Sequence, residues 1–389
     1  MTPGPDRDLR IDALRGLALL MIFVNHLAYL SGDLTLRNGS LGALTLCDFA
    51  NVFVFVSGYV AGLVYGPKMD RDGFAATRRR IFSRARQLYR WHLGTLLFTL
   101  FLVAILQASG LDILDRARLM PFFSNPLGIL PAVLSMGYTP YAFDVLRLYV
   151  ILLAVLPFWL ALRKRSLPLA VGVSVAVYLV PQVFPGFNLP DWPGDRVWYF
   201  NPLAWQIQFF LGTALAGWKL PGFWRSKRAA VLAGIILVGG VLVRQVAPGW
   251  LAAQAFHIPF IHDDLLFGKL PMTDKTSLGP VRLLSFGALA ILTLRWLPGS
   301  WSGWRGPWLR PLALCGRQAL KIYCLGLVMV HLLGHSLAAA EAGTPWVIAV
   351  TGVGVVLQIA AAYALETLQK QGPPIERPCG SMVESLPLR

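Results

Sequence analysis

The chain has 389 residues, of which 56% are hydrophobic and 14% are charged, and its formal net charge at pH 7 is +16. Soluble domains carry about 25% charged residues, so this composition excludes an ordinary soluble protein. A strongly positive chain is compatible with a nucleic-acid partner, but only if the positive charges form a continuous surface.

Apolar stretches of about 17 to 25 residues, the length that crosses a bilayer as a helix, recur along the whole chain. They predict an all-α, polytopic integral membrane protein with about ten transmembrane helices. The predicted spans are residues 12–31, 46–66, 86–108, 143–162, 167–184, 199–218, 229–246, 279–297, 309–334 and 346–368. A single membrane-embedded domain would occupy residues 1–368, and residues 369–389 would form a short cytoplasmic tail.

The positive charges are concentrated in alternate connections between these spans. With the N-terminus in the cytoplasm, the cytoplasmic segments hold most of the Lys and Arg residues, and the opposite loops hold few. This bias follows the positive-inside rule, so we predict that both termini are cytoplasmic and that no nucleic acid is bound. The first apolar run is too long for a cleaved signal peptide and is expected to remain as the first span.

The first predicted helix carries two ionisable side chains, Arg15 and His26. They are eleven residues apart, which places them about 20° from one another around the helix and about 16 Å apart along it. Ionisable residues inside a membrane helix are rare unless they line a cavity or perform a function. Arg15 and His26 are therefore candidates for an anion-binding group and a buried base. The alternative is that Arg15 extends to the interface and His26 is an ordinary core residue.

The third predicted helix begins with the arginine-rich stretch "RRRIFSRARQLYRW". Arg80 and Arg84 are four residues apart and share a helix face, as do Arg86 and Arg90, which lie further into the span. Arginines at this depth suit a phosphate-rich ligand, because the guanidinium group binds phosphate through paired hydrogen bonds. The alternative is a solvated cytoplasmic face.

Polar and aromatic residues gather at the predicted outer ends of several helices. These residues are Asp48, Asp144, Arg147, Tyr149, Asn201, Trp205 and Gln206. Asp48 would either orient the His26 imidazole or cap its own helix. The mixture of polar and aromatic side chains suits a carbohydrate, although aromatic residues also anchor helices at the membrane interface. His331 and His335 are four residues apart but have no further ligand near them, so no metal site is predicted.

Several of these stretches resemble a known family. "RIDALRGLALLMIFVNH" resembles the opening of the membrane-bound acyltransferase-3 superfamily, whose first helix carries an Arg and a His at this spacing. "FVFVSGY" resembles its second-helix signature, and "RRRIFSRARQLYRW" resembles its arginine-rich entry to the third helix. "VFVFVSGYVAGLVYG" and "WYFNPLAWQ" are similar to the OpgC-type proteins, which succinylate osmoregulated periplasmic glucans. The superfamily resemblance covers about the first hundred residues, and the OpgC resemblance covers most of the chain.

The resemblance implies an enzyme of the bacterial inner membrane that moves an acyl group from cytoplasmic acyl-CoA to a hydroxyl of a periplasmic glucan. It implies that His26, assisted by Asp48, is the general base or a covalent relay. The candidates for holding the phosphates of coenzyme A are Arg15, Arg80, Arg84 and Arg86. Succinyl-CoA or acetyl-CoA would be a co-substrate, with no permanently bound cofactor, and the polar residues at the outer ends would bind the glucan.

Three alternatives remain at this point. A proton- or anion-coupled transporter would use acidic residues in mid-span, but Asp12, Asp48 and Asp144 all lie at predicted helix ends. Acetyl transfer to another cell-envelope glycan would use the same site, and a non-catalytic scaffold would leave it idle. A succinyl donor would require an additional cation, for which Arg147 and Arg90 are the candidates.

Overall fold

The computed structural model describes residues 8–39, 41–108, 118–194, 196–218, 222–245, 273–297 and 301–371. This part of the chain is almost entirely helical, which confirms the predicted all-α class. Its only strands are β1 (Pro190–Asp191) and β2 (Arg196–Val197), which pair in antiparallel fashion. The predicted tail from residue 372 onward and residues 247–272, which lie between the predicted spans 229–246 and 279–297, are outside the described residues.

Fourteen α-helices are found in the described ranges, and each predicted span range contains helical residues. They are α1 (Leu9–Ser31), α2 (Leu34–Asn38), α3 (Leu41–Leu44), α4 (Phe49–Ala108), α5 (Met120–Ser124), α6 (Pro126–Leu134), α7 (Asp144–Arg165), α8 (Leu167–Val183), α9 (Pro202–Leu215), α10 (Lys227–Gln245), α11 (Pro280–Trp296), α12 (Arg310–Arg317), α13 (Ala319–Ala339) and α14 (Thr344–Gln371). Five of the described helices are long and apolar enough to cross a membrane, namely α1, α4, α7, α13 and α14.

The second and third predicted spans belong to one continuous element, α4, with 60 residues. A straight helix of this length would extend about 90 Å, far more than a bilayer. The element bends at Gly73, whose φ of 76° and ψ of 178° are not helical, a conformation that glycine adopts at little cost. The connection expected between residues 66 and 86 is therefore two helical extensions that meet at Gly73.

Helix α1 lies at the centre of the bundle, where it packs against α4, α12, α13 and α14. Asp8 caps its N-terminus by accepting a hydrogen bond from the Arg10 amide, and Gly32 ends it in the left-handed conformation. Gly16 of α1 and Gly316 of α12 face each other so closely that a Cβ on either would overlap the opposite backbone. Small residues allow such approach between membrane helices, and this contact fixes the depth of α1 within the bundle.

Helix α4 packs in a similar way against α9. A Cβ on Gly58 would overlap the carbonyl of Phe209. The Thr213 hydroxyl donates to the Gly58 carbonyl at 3.0 Å, and Asn51 and Gln208 exchange hydrogen bonds between the same two helices. The main hydrophobic core spreads from this pair into α7 and α13. The helices that carry the predicted site residues therefore form one tightly packed unit.

Candidate functional site

His26 lies half-buried on α1, and its ring contacts a tyrosine that the sequence did not single out. His26 Nδ1 lies 3.0 Å from the Tyr141 hydroxyl oxygen. The two rings meet edge to face at a centroid distance of 5.2 Å, and the Tyr141 ring also stacks on Tyr29 at a centroid distance of 4.9 Å. Tyr141 lies in the short connection before α7, so this hydrogen bond joins α1 to a loop 115 residues away in sequence.

The backbone around Tyr141 is held by α13. His331 Nε2 lies 3.1 Å from the Tyr141 carbonyl oxygen, and the Tyr323 hydroxyl donates to the carbonyl of Ala142 at 2.8 Å. Ala142 has a φ of 70°, a value that non-glycine residues rarely adopt. Two hydrogen bonds thus hold a strained turn, and the turn sets the direction in which the Tyr141 side chain points.

The hydrogen-bond partners of His331 and His335 indicate which ring nitrogen carries the proton. Because a carbonyl can only accept a hydrogen bond, His331 carries its proton on Nε2 and uses Nδ1 as an acceptor. His335 Nε2 lies 3.4 Å from that nitrogen and therefore donates to it. Both rings are buried. The hydrogen bonds run in one direction, from His335 through His331 to the Tyr141 backbone, and none of them requires a charged imidazole.

Every described histidine belongs to this buried region. His92 of α4 contacts the Phe143 ring edge to face at 5.7 Å, and Phe143 in turn lies 5.9 Å from His331. Within the described chain, no group of three or more His, Cys, Asp or Glu side chains has an arrangement that could hold a metal ion. The histidines are instead arranged as a set of ring contacts around Tyr141 and Phe143.

Asp48 caps α4 and forms an ion pair with Lys275. Its carboxylate accepts from the amides of Ala50 and Asn51 at 3.0 and 3.2 Å and lies 2.5 Å from the Lys275 ammonium. Burial disfavours the charged form of Asp48, but the charges of Lys275 and Arg282 more than compensate and hold the pKa of the carboxyl below its usual value.

Asp48 and His26 have different partners in the structure. The carboxylate pairs with Lys275, whereas the hydrogen-bond partner of the His26 ring is Tyr141. Lys275 lies in the predicted connection between the spans 229–246 and 279–297, and no pattern in the sequence pairs it with Asp48. A direct catalytic role for Asp48 stays a prediction.

Arg147 is the centre of a buried charge cluster on α7. Its guanidinium lies 2.8 Å from Asp144 and 2.6 Å from Asp191, donates to the Met136 carbonyl at 3.3 Å, and stacks over the Trp198 ring at 3.9 Å. The side chain is fully buried. These contacts join the β1–β2 hairpin and the loop before α7 to the helix, so Arg147 is engaged by the protein itself.

Three further residues that the sequence predicts at the outer surface also form hydrogen bonds with backbone groups. Asn201 caps α9, and Trp205 Nε1 donates to the Lys275 carbonyl at 3.0 Å. Gln206 donates to the Ser174 carbonyl of α8 at 2.7 Å. All three side chains are buried. They bring α8, α9 and the segment that contains Lys275 together at the end of the bundle that carries Asp48.

The predicted cationic residues separate into two groups. Arg15 and Arg84 line one small cavity between α1, α4, α7 and α13, together with Tyr149 and Tyr323. Arg84 also donates to the Gln87 side chain at 2.6 Å. The other two predicted residues, Arg80 and Arg86, do not line this cavity: Arg80 pairs with Asp72, and Arg86 is exposed. Tyr149, expected at the outer surface, therefore faces the arginine cavity.

Comparison with known proteins identifies the family. A family model described as OpgC protein matches residues 7–370, nearly the whole chain. The chain belongs to the OpgC family. No curated protein and no solved structure matches it. Membership in the OpgC family indicates a transferase with an OpgC-type, glucan-modifying function. The family match also includes every helix that contributes to the cluster around His26.

The Arg147 cluster leads to a prediction about stability. Replacing Arg147 with Met leaves two buried carboxylates without their cation, which we expect to destabilise the protein by about 3–5 kcal/mol at pH 7. Burial already raises the pKa of Asp191 in the presence of Arg147, and loss of the cation raises it further. A carboxyl whose pKa is higher in the folded than in the unfolded protein costs stability above its unfolded-state pKa. This cost shrinks as the pH falls through the folded-state pKa, so we expect the deficit to narrow from pH 7 to pH 5.

Thermal unfolding in detergent at several pH values measures this effect. Arg163→Met is the matched control, because Arg163 lies 3.7 Å from the exposed Asp70 and such surface pairs contribute about 0–1 kcal/mol. Equal and pH-independent losses in the two variants would show that the Arg147 cluster does not hold the outer loops together.

Proposed function

We propose that this OpgC-family protein is a membrane-bound O-acyltransferase that moves a succinyl group from cytoplasmic succinyl-CoA to a hydroxyl of a periplasmic glucan. The observation that carries the proposal is the hydrogen bond between His26 and Tyr141, which engages one ring nitrogen and leaves the other for a substrate. A histidine oriented in this way by a neighbouring group is the usual form of a general base.

The proposed topology has ten membrane crossings, with both termini in the cytoplasm of a bacterial cell and the bundle in the inner membrane. The ten crossings are α1, the two halves of α4, α7, α8, α9, α10, α11, the α12–α13 pair and α14. The concentration of Lys and Arg in alternate connections supports this arrangement. It puts Arg15 near the inner surface and His26 beyond the midplane.

The reaction follows from the ring geometry. With its proton on Nδ1, His26 donates to the Tyr141 hydroxyl oxygen, and Nε2 carries the lone pair that accepts the proton of the glucan hydroxyl. The glucan oxygen then attacks the thioester carbonyl, and the carbon–sulfur bond breaks. The departing thiolate takes up the proton that the imidazolium gained from the glucan hydroxyl, so His26 is neutral again and the products are the succinyl ester and free coenzyme A.

The donor would bind from the end of α1 that carries Arg15. Arg15 and Arg84 line the same cavity of about 20 Å³, which would have to widen to admit the phosphates that paired guanidinium groups bind. Arg80 and Arg86 lie on the same helix as Arg84 and would extend this cationic surface toward the cytoplasm. The outer residues Asp144, Arg147, Asn201, Trp205 and Gln206 would support acceptor binding by holding the loops that contact the glucan.

Replacement of His26 by Gln tests the proposal. Because glutamine cannot act as a base, we expect the transfer rate to fall by about 10²- to 10⁴-fold, with thermal stability close to that of the wild type. Purified protein is incubated with succinyl-CoA and a periplasmic glucan fraction, and free coenzyme A thiol and succinylated glucan are both measured. Acetyl-CoA in a parallel reaction identifies the acyl group.

Equal transfer by wild-type protein and the His26→Gln variant would remove His26 from the mechanism. Ester formation with acetyl-CoA alone would retain the mechanism but change the acyl group. If neither protein forms an ester, uptake of labelled anions into vesicles measures the transport alternative, and uptake that depends on His26 would replace the enzyme with a transporter.

Replacement of Tyr141 by Phe tests how His26 is positioned. The phenyl ring keeps its stacking on Tyr29 but removes the hydrogen bond to His26, so we expect kcat to fall about tenfold or more while KM for succinyl-CoA is unchanged. Tyr178→Phe is the control, because it likewise removes one buried phenol hydroxyl. That hydroxyl donates to the Leu278 carbonyl at 3.0 Å. A rise in KM with unchanged kcat would contradict the assigned role.

A further inference from the structure

An open groove of about 800 Å³ lies on the side of the helical bundle, between the second half of α4, α13 and α14. Its walls are mainly apolar and include Phe98 of α4, Leu325 and Val328 of α13, and Leu365 of α14. Phe98 is 52% exposed. In a membrane-spanning bundle, a surface groove with such walls opens toward lipid.

The charges in this groove are all at one end. Arg90 of α4 and Lys321 of α13 line it together with Gln87, and no acidic side chain is among its lining residues. From Gln87 to Phe98 the helix advances about 16 Å, close to half of the roughly 30 Å hydrocarbon thickness. The groove therefore has two cations at its mouth and apolar walls that extend over the depth of about one leaflet.

The groove is separate from the cavity proposed for the acyl donor. Arg84 and Leu88 of α4 and Tyr323 of α13 line that inner cavity, whereas Arg90 and Lys321 line the groove. The α4–α13 pair thus forms a wall with a different set of side chains on each side. A donor whose phosphates bind Arg15 and Arg84 would leave the groove unoccupied.

We propose that the groove binds one anionic phospholipid of the surrounding membrane. The headgroup phosphate binds Arg90 and Lys321, and the acyl chains lie along Phe98, Leu325 and Val328. Basic pockets between transmembrane helices recognise anionic headgroups in this way, whereas a zwitterionic lipid carries its own positive charge and gains less from two nearby cations. The apolar walls match two hydrocarbon chains and offer nothing to the polar adenosine part of a coenzyme.

Native mass spectrometry of the full-length protein tests this site. Protein is equilibrated with phosphatidylglycerol or phosphatidylcholine of identical acyl chains, and the lipids retained per protein are counted. We expect one phosphatidylglycerol to be retained at least about tenfold better than phosphatidylcholine, and Arg90→Gln/Lys321→Gln to abolish the preference. Arg79→Gln/Lys164→Gln is the matched control, since it removes the same charges from exposed positions outside the groove.

Two results would overturn the proposal. Equal loss of the preference in the control and in the groove variant would show a general effect of surface charge. Displacement of the retained lipid by succinyl-CoA in stoichiometric amounts would assign the groove to the acyl donor.

Thermal stability of both double variants is measured in parallel, and Trp91→Phe provides a second readout. Because Trp91 lines the groove, brominated phosphatidylglycerol should quench wild-type fluorescence more than that of Trp91→Phe.

Discussion

The hydrogen bond between His26 and Tyr141 is the interaction on which the organisation of the site depends. Hydrocarbon offers no competing partner to a polar group, so a single bond inside the bundle fixes a side chain that water would leave free. Tyr141 is itself fixed by His331 through its backbone and by Tyr29 through its ring. The orientation of the His26 ring is therefore set by three elements, α1, α13 and the connection before α7.

The same physical constraint explains the charges at the end of the bundle that carries Asp48. A buried charge is tolerated when it is paired and hydrogen-bonded, and breaking such a pair is strongly unfavourable. Arg147 joins the β1–β2 hairpin to α7, and Lys275 joins the segment before α11 to the start of α4. These pairs hold connections that have little regular structure of their own. The polar residues at this end of the bundle are consequently bound to protein groups.

The positions of the helices can be predicted from the sequence more completely than the contacts between side chains. Hydropathy locates the apolar helices because a helix that crosses a bilayer needs about twenty apolar residues, and helical geometry alone aligns Arg15 with His26. The partners of His26 and Arg147 could not be predicted in the same way. Tyr141 lies in an irregular connection, and Asp191 is 44 residues from Arg147, so no periodic pattern links either pair. The sequence does not predict that α4 continues through Gly73, because the charged residues around this position are typical of a loop.

The proposed mechanism requires donor and acceptor to reach the site from opposite faces of the membrane. It is tested most directly in sealed proteoliposomes with succinyl-CoA on one face and glucan on the other, by measuring succinylated glucan on the acceptor face. The account predicts ester formation in this arrangement, with loss of the ester in His26→Gln vesicles of equal protein content. Ester formation only when both substrates share one face would contradict it.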